Sequence, residues 1–166
     1  MGLFTRRGRG ADPGAGSDDE PPPDEPRPLV AQGLPLRDQD RALRDRCLAE
    51  LAEMAVDLDS LAAISAAYDA DLHEWSGTGG LGRRLGSAEH TPHVQRWGVA
   101  IGAHLDRHSD LRWATIADVF GTDLGLIAER DDFAVVPTNL VSGRWLNGER
   151  GWIPGLVGHL LRLRQR

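Results

Sequence analysis

The chain has 166 residues, 19 basic and 25 acidic, for a net charge of −6, with 40% apolar residues and one cysteine. That is room for one modest domain plus a tail. All 19 basic residues are arginine, so lysine Schiff-base chemistry and the lysine-dependent phosphate loop are excluded, and the single Cys47 excludes an intrachain disulfide.

Residues 1–35 carry six of the ten prolines between Asp12 and Pro28, the acidic run Asp18, Asp19, Glu20, and almost no large apolar side chains. This composition predicts a disordered Pro/acidic tail, because it cannot bury enough surface to offset ordering entropy. The twin arginine Arg6-Arg7 has no apolar core behind it, and no apolar run approaches the length of a membrane span. The expectation is a cytoplasmic protein that does not engage a membrane.

Residues 36–166 are expected to form a single domain. Over 36–75, Leu51, Met54, Leu58, Leu61, Ser65, Tyr68, Leu72 and Trp75 recur at steps of three and four. This predicts a long helix, or a helix pair if Asp59 or Ser60 caps a second one. The stripe would pack on the protein's own sheet, and a homodimer through this helix is the alternative. Residues 76–91 form a Gly-rich connector. Its Gly77-x-Gly79-x-x-Gly82 follows a helix rather than a strand, so it fails the context of a dinucleotide site and reads as a flexible link.

Pro92 opens a helix through about His108, with Val94, Trp97, Ile101 and Leu105 on one side. Gly98 and Gly102 imply close approach of this helix to another backbone. Alternation from Leu111 to Phe120, a turn at Gly121-Thr122-Asp123, a return over Leu124 to Glu129, a turn at Arg130-Asp131-Asp132 and a strand from Phe133 to Val136 predict a three-stranded antiparallel meander. Thr138 or Asn139 can cap a helix reaching Leu146, Gly148 to Gly151 breaks it, and Pro154 suits the first turn of a last helix. The class is α+β.

Trp97-Gly98-Val99-Ala100-x-Gly102-x-His104-Leu105, then Leu111-Arg112-Trp113, Asp118-x-Phe120-Gly121-Thr122-Asp123-Leu124 and Val135-Val136-Pro137-x-Asn139-Leu140-Val141 resemble a bacterial family, domain of unknown function 3806. The likeness runs over about Val94 to Leu161. Ala103 stands where that family often has Glu. The resemblance implies a fold and no catalytic residue, cofactor or substrate.

Chemistry-bearing residues are sparse. His104 and His108 share a helix face but lack the glutamate and third ligand of a zinc site, so no metal is expected. Cys47 lies near an apolar stripe without a histidine beside it and reads as a small buried hydrophobe. No serine sits in a nucleophile elbow. Asp118 and Asp123 flank a turn, and with Thr122 and Asn139 they form the polar turn candidates. Nucleic acid is disfavoured by the negative charge. Trp145 and Trp152, with Arg144 and Arg150, are the candidate partner-binding surface, because Trp and Arg concentrate at interface hot spots; equally, both indoles can finish the core. The function expected is a non-enzymatic protein-interaction domain of adaptor, chaperone or toxin-neutralising type, without a cofactor. The alternative is an enzyme or small-molecule-binding protein of unrecognised type.

Overall fold

The computed structural model describes residues 31–77, 88–118, 121–130 and 132–164. The Pro/acidic tail through residue 30 and most of the Gly-rich connector, with Gly79 and Gly82, lie outside the described residues.

The order is β1 (Gln32–Leu34), α1 (Asp38–Glu53), α2 (Leu61–Trp75), a single 3-10 turn (Ala88–His90), α3 (Thr91–His108), β2 (Leu111–Asp118), β3 (Gly121–Ala128), β4 (Ala134–Val135), α4 (Pro137–Asn147) and α5 (Ile153–Arg164). The fold is α+β: the described residues form five α-helices and one antiparallel sheet in the order β1-β2-β3-β4.

The 36–75 stripe resolves into a helix pair. Ala55 adopts a left-handed φ of 54°, and the amide of Val56 turns back to the Leu51 carbonyl, ending α1 as C-terminal caps do. Ser60 then caps α2, its Oγ accepting from the Ala63 amide at 3.2 Å. α1 buries Cys47 and Leu51, and α2 buries Ile64, Tyr68 and Leu72.

α3 is the axis of the domain, packing on α1, α2, α4, α5 and the sheet and burying Trp97, Ile101 and Leu105 completely. Its two glycines serve close approach in different ways. A β-carbon on Gly98 would stand 3.0 Å from the Cα of Thr138 in α4, whereas one on Gly102 would strike the indole of Trp113, 2.3 Å from its nearest atom. The backbone approach expected of both is therefore made by Gly98; Gly102 accommodates a side chain.

The meander is present as β2-β3-β4, with Leu111 opposite Ala128 and Asp118 opposite Gly121. Pairing runs further toward the turn than the sequence suggests: Gly121, Thr122 and Asp123 belong to β3, and Gly121 takes a φ of 139° that favours glycine. The sheet gains a fourth strand, since Gln32–Leu34, inside the segment read as tail, pairs with Thr115–Ala117 on the open edge of β2. Its three residues, Gln32, Gly33 and Leu34, are all exposed and show no apolar period, so backbone pairing with β2 is what defines this strand.

α4 also starts earlier than its expected caps. Pro137 is its first residue, extended Val136 precedes it, and no side chain caps it. Proline's fixed φ preorganises that first turn, which places Thr138 and Asn139 inside the helix.

Candidate functional site

The start of α3, the start of α4, β3 and the flank of α1 enclose a cleft of about 250 Å³. α3 contributes Val94 and Gln95, preceded by Thr91 and by His90 from the short turn; α4 contributes Thr138, Asn139 and Ser142; β3 contributes Asp123 and Leu124; α1 contributes Leu43. Val94 and Leu124 are buried and form an apolar floor, while Asp123, Asn139 and Thr91 are exposed at the rim. The geometry follows from packing: Gly98 lets α4 come against α3, so the first turns of both helices open on one space.

Two of the four polar turn candidates, Asp123 and Asn139, thus meet in this cleft. Thr122 does not line it. Its Oγ1 accepts from Arg37 Nη1 at 2.5 Å, part of a network in which the Arg37 Nε donates to Asp40 at 2.8 Å and the Thr115 hydroxyl donates to the same Asp40 oxygen at 2.6 Å. The Arg37 hydrogen bond, with help from Thr115, holds the Asp40 carboxyl below its ordinary range despite burial. Asp118 accepts the Gly121 amide at 3.2 Å, the local bond that turns favour. Asp123 stands opposite Ile116 rather than Asp118, so the two carboxylates are not cross-strand partners.

On the opposite side of α3, Asp71 of α2 gathers three donors on one oxygen: Trp97 Nε1 at 2.7 Å, His93 Nδ1 at 3.0 Å and Arg96 Nη1 at 3.2 Å. Burial pushes this carboxyl up, but the bonds from His93 and Trp97 and the charge of Arg96 outweigh it and keep the group below its usual value. His104 is buried and its Nδ1 donates to the Leu58 carbonyl at 2.8 Å; His108 reaches Asp59 at 3.3 Å. Both imidazoles therefore clasp the α1–α2 connection. Cys47 is buried and its thiol pushed up by that burial. Among the described residues, no three His, Cys, Asp or Glu side chains gather as metal ligands would, and no helix is long and apolar enough to cross a membrane.

Trp145, expected at a partner surface, is fully buried. It lies edge-on to Tyr68 at 5.4 Å and stacks on the His93 ring at 4.9 Å. The reason is its position on α4, four residues beyond Val141, which is also fully buried, on the face turned to the core. Trp152 is half-buried beneath the Arg144 guanidinium at 4.7 Å, and exposed Arg150 contacts His73 at 3.3 Å. Of that quartet, Arg144, Arg150 and part of Trp152 remain at the surface.

Of the cleft residues, Thr91, Gln95 and Ser142 were not singled out by sequence as site residues, and Thr138 only as a possible helix cap. Thr91 and Gln95 stand four apart on α3, and Thr138 and Ser142 four apart on α4, so each pair shares one helix face; nothing in either helix alone marks that face as a site, and only the α3–α4 crossing brings the two pairs together.

The family model described as Domain of unknown function (DUF3806) matches residues 82–154. That span holds α3, β2 to β4, α4 and every cleft-lining residue except Leu43, so the resemblance read from the residues is shown there. No curated protein and no solved structure matches the chain.

Proposed function

We propose that the chain is a non-enzymatic binding domain whose cleft between the starts of α3 and α4 receives a small polar ligand. The observation that carries this reading is the convergence of Gln95, Asp123, Thr138, Asn139 and Ser142, from three elements, over the buried floor of Val94 and Leu124. A few placed polar groups above apolar side chains is the usual build of a ligand site, and 250 Å³ suits a molecule of a few heavy atoms. The groups most suited to catalysis are otherwise engaged: Asp71 with His93, and His104 and His108 with the α1–α2 connection.

A protein partner is the second reading, favoured by Arg144 stacked over Trp152 beside exposed Arg150. Backbone amide NMR of the full chain against pooled small metabolites separates the two. Shifts at Thr91, Gln95, Asn139 and Ser142 that vanish in Asn139→Ala support the cleft. A protein complex lost in Arg150→Glu, with no metabolite shifting the cleft, supports the surface.

A further inference from the structure

The cleft presents two opposite electrostatic poles. Asp123 supplies the carboxylate of the lining. Across from β3, α3 presents Gln95, whose Oε1 is occupied by the Arg46 guanidinium at 3.0 Å, leaving the amide NH2 as a donor beside a positive charge. Arg46 is itself 60% exposed, and its ion pair with Glu50 is long at 3.9 Å. The hydroxyls of Thr91, Thr138 and Ser142 add further donors, and the starts of α3 and α4, without side-chain caps, open on the same cleft. A purely anionic ligand would meet Asp123. A purely cationic one would meet Arg46 and two helix starts. Arg37, a cation within electrostatic reach of Asp123, is committed to Asp40 and Thr122.

We infer that the ligand is a small zwitterion of the α-amino-acid class, its ammonium on Asp123 and its carboxylate toward Gln95, with a short side chain over Val94 and Leu124. This rests on the cleft being the binding site, as proposed above. The two charges must lie within a few bonds of each other, which an amino acid satisfies and the separated termini of a long peptide do not.

The test is calorimetric and NMR titration of the full chain with L-alanine, L-serine and L-glutamine, against ethylamine, propionate and glucose. The amino acids are expected to shift Thr91, Gln95, Asp123 and Asn139. Ethylamine and propionate should bind about tenfold more weakly or worse, the loss that accompanies one missing charge-assisted hydrogen bond. Asp123→Asn, at an exposed position, should abolish the preference for alanine over propionate, weakening alanine while propionate, no longer opposed by a carboxylate, binds more tightly, with the circular dichroism unchanged; Gln95→Ala should weaken propionate. If glucose or a singly charged probe shifts the cleft as strongly as the amino acids, the cleft stands as a site and the zwitterion assignment falls. If none of the six shifts any cleft residue, both fall.

Discussion

Gly98 of α3 lies against the main chain of Thr138, so close that a β-carbon there would stand 3.0 Å from both its Cα and its N. Backbone atoms cannot swing away as a side chain does, so Gly98→Ala has to part the two helices. The helix gains about 1 kcal/mol from alanine's propensity, but overpacking of a fixed contact costs about 1–3 kcal/mol. The variant is expected to melt lower than the parent and to lose cleft binding. Gly143, in α4 with nothing within 4 Å of its would-be β-carbon, is the control: Gly143→Ala should raise the melting temperature.

Asp40 ties the start of α1 to the sheet through Thr115, which is fully buried. Thr115→Val removes both a donor to Asp40 and the acceptor of the Arg37 amide, and Asp40→Asn removes the charge that holds the Arg37 guanidinium, so each should lose about 1–3 kcal/mol in denaturant unfolding. The pH dependence has a definite sign. Because the folded carboxyl sits below its ordinary value, its contribution is complete above the unfolded value, near 3.9, and disappears as pH falls through the folded one. The acid limb of the stability curve should be shallower in Asp40→Asn.

What the sequence made legible was whatever one element could encode alone. The helix break was readable only as an alternative, because Asp59 and Ser60 are capping residues set within one continuous apolar stripe, and the meander because β2 and β3 are long enough to show their period. β1 was not, since Gln32-Gly33-Leu34 is stabilised by pairing with β2 and carries no apolar pattern of its own. The same limit governs the site. Asp123 and Asn139 were visible as polar residues at the ends of elements, but Gln95 and Ser142 are ordinary positions on helix faces until Gly98 sets the α3–α4 distance. Trp145 was legible equally as partner surface and as core, because residue type says nothing about which face of a short helix meets the core; its full burial is the second of these.

His104 provides a second pH signature of the opposite chemical type. It is 4% exposed, and burial lowers its pKa from the ordinary value despite the Leu58 carbonyl that accepts its Nδ1 proton. His108, 4.4 Å away ring to ring, and Arg107 also disfavour its charging, while Asp59 favours it. A histidine held neutral when folded binds fewer protons than the unfolded chain. Its contribution is therefore present above the unfolded value, about 6.5, and is lost as pH falls toward the folded one. Unfolding free energies measured from pH 7.5 to 5 should decline in the parent and decline less in His104→Asn, whose amide can still donate to Leu58.

The aromatic cluster separates packing from polarity. Tyr68 meets Trp97, Trp145 and Trp152 edge-on at 5.9, 5.4 and 5.7 Å, a preferred arrangement for rings of this kind. Yet the Tyr68 hydroxyl and the Nε1 atoms of Trp145 and Trp152 are buried without a hydrogen-bond partner among the described residues; Tyr68 and Trp152 are close enough to influence one another without completing a bond. An orphaned buried hydroxyl costs desolvation and returns nothing. Tyr68→Phe keeps the ring and removes only that cost, so it should leave the protein as stable as the parent or more so, by up to about 1–2 kcal/mol. Trp145→Ala removes a fully buried indole and should lose about 3–5 kcal/mol. Measured together by chemical denaturation, opposite signs for the two variants identify this region as core held by shape. A large loss in Tyr68→Phe would instead require that the hydroxyl has an acceptor in solution, and would make the trio of donors a polar site in its own right.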